Sequence, residues 1–276
     1  MRKIVLIAIA GISFWAKAQT QRFIYDLVYK KDAGTDLLTK ENFHLDIDSK
    51  SATYYQRDFF VADSLINNNI PFPKGVKLNT STIVYHKTGD DNYEEYDLME
   101  NTVLKLQTQE SQQWNLENES KKVKDLTLQK ATTTFGGRNW TAWFAKEIPF
   151  QEGPYVFHGL PGLIIELYDD KKNYKFELVK SVKLEKAPNN QFIVMARQMS
   201  VPVTWDKYKS TKLTFYESPV NFIKSGMGSS NTDGQFFLND GTKVNPTNMR
   251  EINERMKQAI KKYNNPINLD RKIAYP

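Results

Sequence analysis

Along the first two thirds of the chain the apolar positions recur chiefly with a period of two. Phe23, Tyr25, Leu27 and Tyr29 share one parity while Asp26 and Lys30 share the other, the pattern of a strand with one buried face. Phe43, Leu45 and Ile47 alternate with His44, Asp46 and Asp48 in the same way, and Ser51 to Gln56 reads as the returning arm of a hairpin, so antiparallel pairing is expected. Thr82 to His86, Tyr93 to Leu98 and Thr102 to Gln107 read as successive short strands, with Gly89-Asp90-Asp91 turning between the first two. A longer meander runs from Trp114 through VKDLTLQKATTTF to NWTAWF, where Gly136-Gly137 can take positive φ at both centres of a two-residue hairpin loop. Leu163 to Tyr168 and Tyr174 to Leu184 read as two further strands.

Helical periodicity is scarce. Residues 58–69 lose the alternation, and NNNIPFPKG (67–75) holds two prolines and a glycine that forbid regular pairing, so a short helix or loop is expected there. Residues 204–224 mix both periods, with short helices at Trp205 to Tyr208 and Pro219 to Lys224 as one reading. Asp233-Gly234 and Asp240-Gly241 flank QFFLN, which predicts two turns around a small strand. The clearest helix is TNMREINERMKQAIKKYNN, where Met249, Ile252, Met256, Ile260 and Tyr263 recur at three- and four-residue intervals. Thr247 or Asn248 can cap its start, Lys261 and Lys262 suit its negative end, and its apolar side is expected to dock on a sheet.

Residues 1–18 form a unit of their own: Arg2 and Lys3, an apolar run from Ile4 to Trp15, then Ala16-Lys17-Ala18 with small residues where a signal peptidase inspects. The run falls short of the roughly 20 residues that span a bilayer, so a cleaved signal peptide is expected, leaving a single β-rich domain over 19–276 in the periplasm, secreted, or at the cell surface. Loss of the leader lowers the formal charge from +6 to +3, which gives no reason to expect nucleic acid or an anionic membrane as partner. No later stretch is long and apolar enough to span a membrane. The chain has no cysteine, which excludes disulfides, thiolate metal sites and cysteine nucleophiles. No linker divides it, and a monomer held by its own core is expected.

Residues 157–170, FHGLPGLIIELYDD, concentrate the local signals. Pro161 presets φ and Gly162 supplies the positive φ that a type II turn requires at its third position. The run Leu163-Ile164-Ile165-Glu166-Leu167 then carries apolar residues of both parities, which fits a central strand covered on both sides. At these residues the chain resembles the GLPGLI family, named for the hexapeptide seen here as Gly159 to Ile164. The resemblance extends over 129–170, and KKYNNPINL (261–269) is similar to the family's C-terminal NNPIEL, with Asn268 where an acid is common. Many members carry a cysteine where this chain has Leu128, so no redox or disulfide role transfers. The resemblance implies an exported, Bacteroidetes-type protein of all-β build with no established activity or catalytic residues. Its strand-rich layout also resembles the outer-membrane lipoprotein carriers. The expected fold class is therefore mainly β with few helices: a curved open antiparallel sheet, a half-barrel, covered by helices including the C-terminal one.

Patterns that carry chemistry are sparse. His44, His86 and His158 are far apart in sequence and no His-Glu-x-x-His occurs, so no metal site is assigned. Gly-x-Ser-x-Gly, Ser-x-x-Lys and a phosphate-binding loop are missing, and no catalytic residue or cofactor is assigned. Burial could raise the pKa of Glu166 for acid catalysis with Glu147 and His158, or Glu166 could pair structurally with a cation such as Arg138. The aromatic cluster Trp140, Trp143, Phe144, Phe150, Tyr155 and Phe157 reads either as core or as the lining of an apolar cavity or partner-facing patch. Arg138, Trp140, Trp143, Phe157, His158 and Glu166 are the candidate binding residues. The function expected is a non-enzymatic exported protein holding a hydrophobic ligand or an outer-membrane receptor. The alternatives are an accessory of nutrient or metal uptake across the outer membrane and a hydrolase of unrecognised type.

Overall fold

The computed structural model describes residues 20–68, 70, 82–99, 102–185, 188–226, 236–238 and 242–276. The leader, most of NNNIPFPKG and both Asp-Gly turns around QFFLN lie outside them.

Among the described residues twelve strands form one open sheet: β1 (Thr20–Tyr29), β2 (Thr39–Ile47), β3 (Ser51–Gln56), β4 (Thr82–Lys87), β5 (Asn92–Met99), β6 (Thr102–Gln109), β7 (Asn115–Val123), β8 (Leu126–Phe135), β9 (Arg138–Ala145), β10 (Leu163–Asp169), β11 (Tyr174–Leu184) and β12 (Val201–Val203). Their order is β12-β6-β5-β4-β3-β2-β1-β11-β10-β9-β8-β7. The sheet is thus two meanders joined at β1 and β11, which pair antiparallel from Thr20↔Leu184 to Tyr29↔Tyr174. The expectation of a wholly antiparallel sheet needs one correction, since β12 runs parallel to β6, with Val201 opposite Leu104. A separate two-stranded hairpin pairs β13 (Phe236–Phe237) with β14 (Lys243–Val244).

Among the described residues five α-helices accompany the sheet: α1 (Arg57–Asn67), α2 (Gln191–Gln198), α3 (Trp205–Glu217), α4 (Pro219–Gly226) and α5 (Met249–Lys262). The α2–β12 segment has no sequence-based prediction. Its run Phe192-Ile193-Val194-Met195 shows no period, yet Asn190 caps the helix by accepting from the Ile193 N–H, and only Ile193 and Ala196 are buried. Helix α3 continues well past Tyr208; Thr204 caps it, and of its residues only Tyr216 is fully buried, which explains the blurred periodicity. Helix α5 places Ile252, Met249 and Met256 against Val220, Ile223 and Phe215. It therefore packs on α4 and α3, and α3 carries the contact on to β6.

Both faces of the sheet are covered. On one, Tyr55, Ile83 and Tyr96 meet Phe59 of α1 and Ile193 and Ala196 of α2. On the other, Phe23, Tyr25, Leu45, Trp140 and Phe176 join Val156, Phe157 and Leu160 from the long loop between β9 and β10. That loop ends in the Leu160-Pro161-Gly162 reversal. The turn is tighter than the type II geometry expected from sequence: the Gly162 N–H donates to the Leu160 carbonyl at 2.8 Å, a three-residue turn around Pro161. Gly162 has φ +149° and lies so close to β9 that a Cβ there would stand 2.2 Å from the Ala145 carbonyl oxygen. Strand β10 then runs between β9 and β11, with Leu163, Ile164, Ile165 and Leu167 all buried.

Candidate functional site

Leu106, Glu95, Val84, Tyr54, Leu45 and Phe23 stand directly opposite one another on six adjacent strands from β6 to β1 and so share one face of the sheet. Side chains of this face, Leu27, Phe43, Tyr54, Val84, Leu106 and Phe176 among them, line a partly open cavity of about 380 Å³. The lining draws on seven neighbouring strands, β6 to β1 and β11. At about 4.8 Å between strands, a flat sheet would spread these over roughly 29 Å; a shared cavity requires the sheet to curl around it.

The C-terminal segment that follows α5 forms the roof. Pro266, Ile267, Arg271, Ile273 and Tyr275 line the cavity from above, joined by Trp205 and Tyr208 of α3. Arg138 on β9 fixes this segment. Its Nε donates to the Ile267 carbonyl at 2.9 Å, and its Nη2 donates to Asn265 Oδ1 and to the Pro266 carbonyl, both at 2.7 Å. Nη1 pairs with the fully buried Asp169 at 3.0 Å, and the guanidinium lies 5.0 Å from the Tyr174 ring centroid. The adjoining hairpin turn takes part too. Gly136 and Gly137 have φ of +58° and +69°, and Cβ atoms there would stand about 3 Å from Asn268 and from Leu269 and Asp270. The Leu269 N–H donates to the Gly136 carbonyl at 2.8 Å.

The polar end of the cavity is built on Glu95. Arg271 Nη1 lies 2.7 Å from Glu95 Oε1, while Nη2 pairs with Glu110. The Tyr155 hydroxyl donates to Glu95 Oε2 at 2.8 Å. Burial raises the Glu95 pKa, opposed by Arg271 and Tyr155 and reinforced by Glu110. The side chain is 12% exposed, and it forms part of the cavity lining. Tyr155 reaches it from the β9–β10 loop with φ +60°, a conformation that costs a non-glycine residue of order 1–3 kcal/mol. Beside Glu95, Asp97 accepts from the Tyr208 hydroxyl at 2.7 Å and pairs with Lys212 at 2.5 Å.

Two histidine–carboxylate pairs clasp the same loop to the β4–β5 hairpin. His86 Nε2 meets Glu152 at 3.0 Å, with its Nδ1 facing the Asp90 carbonyl. Burial works to lower the His86 pKa, yet Glu152 and Asp90 hold it above its ordinary value. His158 Nε2 meets Asp91 at 2.8 Å and its Nδ1 faces the Val156 carbonyl.

None of the six residues chosen from sequence lines this cavity. Arg138 anchors its roof. Trp140, 1% exposed, donates from Nε1 to the Phe135 carbonyl and packs 4.7 Å from Phe157. Trp143 is buried with Lys121 above its ring, and His158 holds the loop. Glu166 pairs with Lys121 and, at 3.7 Å, with Lys175 rather than with Arg138, whose carboxylate partner is Asp169. Glu147 accepts from the Thr127 N–H, and no hydrogen bond described joins Glu147, His158 and Glu166. Sequence reasoning missed Glu95, Arg271, Tyr54 and Tyr208. The available signal was weak: Glu95 is in phase with Tyr93 while Tyr96 is in the opposite phase, which marks a strand covered on both faces. Among the described residues no group of three or more His, Asp or Glu is placed to hold a metal, and no helix is long and apolar enough to cross a membrane.

Residues 94–166, about a quarter of the chain, match a family described as a protein of unknown function (Porph_ging). This span runs from β5 through the hexapeptide into β10, and contains Glu95, Glu110, Arg138 and Tyr155. No curated protein matches the chain. Among solved structures, PNGF-II in one crystal form is 15% identical over 70% of this chain with a TM-score of 0.50. In a second crystal form the values are 12%, 68% and 0.48. The chain spans about a third of the length of these structures, 33% and 31%, and the likeness concerns the fold alone.

Proposed function

We propose that this chain is an exported, non-enzymatic binding protein that takes an apolar ligand into the cavity between the curved sheet and its C-terminal roof. The observation that carries the reading is the cavity itself. Its volume of about 380 Å³ falls within the roughly 300–1,000 Å³ typical of small-molecule sites. It is lined mainly by aromatic and aliphatic side chains, with a few convergent polar groups at one end, the composition such sites share. Both segments that resemble the GLPGLI family border it, the loop through Tyr155 and the NNPI segment through Pro266 and Ile267. The hydrolase alternative draws less support, because Glu147, His158 and Glu166 each bond to different partners.

Native mass spectrometry of protein recovered by mild extraction from its own cells tests the reading. A bound apolar molecule, released on denaturation, is the expected result. Protein that emerges bare and takes up no apolar fluorophore in solution contradicts it.

A further inference from the structure

The clasp between the β9–β10 loop and the β4–β5 hairpin is complete only when its imidazoles carry an extra proton. Both ring nitrogens of His86 face acceptors: Nδ1 stands 3.0 Å from the Asp90 carbonyl and Nε2 3.0 Å from the Glu152 carboxylate. His158 repeats the arrangement, with Nδ1 3.1 Å from the Val156 carbonyl and Nε2 2.8 Å from the Asp91 carboxylate. A neutral imidazole has one N–H and can serve one acceptor of each pair, whereas the imidazolium serves both. The ring centroids lie 6.0 Å apart, and Tyr93 stands 4.2 Å from His86 and 5.4 Å from His158. The other titratable and charged groups around them are Glu152 from the loop, Asp90 and Asp91 from the hairpin turn with Lys87 beside them, Glu110 across Tyr93 and paired with Arg271, and the Tyr25 hydroxyl of β1 near Glu152. On the loop, Glu152 and His158 pair as a β-bridge, and Tyr155 lies midway between them. The two clasp points therefore flank the residue that donates to Glu95 in the cavity wall and that holds a positive φ of +60°.

We propose that the clasp is a proton-operated latch that sets how firmly Tyr155 is seated in the cavity wall. His86 and Glu152 are 4% and 5% exposed, so water cannot replace a contact that deprotonation breaks. Burial disfavours the charged ring, yet Glu152 and Asp90 raise the His86 pKa. Below about pH 6.5, the ordinary histidine value, the ring is charged whether the loop is held or loose, and the latch is fully made. As pH rises through the raised value, the held ring gives up its proton as well and the advantage of the held state is lost. Release is local, because Val156 and Phe157, each 1% exposed, keep the loop on the core in both states; it is favoured at Tyr155, whose backbone strain it relieves. Mildly acid surroundings thus shut the latch and mildly alkaline ones loosen it, and affinity for an apolar ligand falls in step. That last link rests on the cavity being the binding site.

The test is hydrogen exchange of the amides in 151–159, read by mass spectrometry from about pH 6 to about pH 8.5 and corrected for the intrinsic rate at each pH. Wild-type protection there should fall at least about threefold across the range, with the amides of β2 unchanged. His86→Gln, checked for folding by circular dichroism, should show no such fall. Constant protection in wild type overturns the inference, as does a fall shared by β2 or retained in His86→Gln. If that variant does not fold, Glu152→Gln, which removes the charge that holds the proton, should lose most of the pH dependence, and keeping all of it overturns the inference. In parallel, the Kd of N-phenyl-1-naphthylamine should rise at least about threefold more over this range in wild type than in the variant, which leaves any titration of the buried Glu95 in place. Equal changes in the two proteins overturn the inference and leave the cavity reading standing. A wild-type protein that binds no fluorophore at either pH overturns the cavity reading, and the exchange result then decides the latch by itself.

Discussion

Replacing Arg138 with Gln tests how the roof is held. The guanidinium is 3% exposed and its four hydrogen bonds tie β9 to Asp169, Asn265, Pro266 and Ile267. Asp169 is fully buried and would keep the Tyr174 N–H at 2.7 Å and Asn173 Nδ2 at 3.2 Å, but no cation. Removing one partner of a buried pair costs about 3–5 kcal/mol. The orphaned carbonyls of Pro266 and Ile267 add to this, while the Gln amide recovers part of it. A net loss of about 4 kcal/mol follows, a large share of the roughly 5–15 kcal/mol that holds a domain together. Urea unfolding followed by tryptophan fluorescence reads it as a lower midpoint at unchanged slope. Combined with Asp169→Asn, the loss should fall short of the sum of the single losses by at least about 1 kcal/mol, since each change removes the same pair. Arg138→Lys should rescue little, because an ammonium cannot address this planar set of acceptors. A loss below about 1 kcal/mol for Arg138→Gln would refute the reasoning.

Three further substitutions probe other parts of the account. Burial, reinforced by Arg22 and opposed by Asp46, lowers the His44 pKa to about 4, so the unfolded chain takes up the proton first and His44 makes stability fall as pH drops from 6.5 towards 4. His44→Phe should therefore lose roughly 2 kcal/mol less than wild type between pH 6.5 and 4.5; equal losses in paired urea titrations would contradict this. Gly162→Ala would place a Cβ 2.2 Å from the Ala145 carbonyl oxygen, whereas Gly159→Ala, at φ +85°, meets nothing within 4 Å. The first should cost more than about 3 kcal/mol or prevent folding and the second about 1–2 kcal/mol, and thermal melts giving equal costs would refute the packing argument.

The strands were legible because alternation is local: Phe23 to Tyr29 and Phe43 to Ile47 announce their buried face without reference to the rest of the chain. What alternation cannot report is which strands meet. The β1–β11 junction brings together residues some 150 positions apart, and nothing in either strand names its partner. The short helix α2 escaped for a related reason, since its buried side amounts to Ile193 and Ala196. The family resemblance marks two segments that the fold brings together: Arg138 in the central block hydrogen-bonds Asn265, Pro266 and Ile267 near the C-terminus. Glu95 stayed hidden because a glutamate in a strand ordinarily faces water; its burial depends on Arg271 arriving from the far end of the chain.

The claim at the centre of this account is that the curved face and its roof enclose a ligand-accepting space. Val84, 2% exposed between Tyr54 and Glu95 in the cavity wall, is the position from which to fill it. The direct measurement is the Kd of N-phenyl-1-naphthylamine for wild type and for Val84→Phe, with folding of both confirmed by circular dichroism. The account predicts saturable binding to wild type and at least about tenfold weaker binding to the filled variant. Equal affinity for the two folded proteins would contradict it.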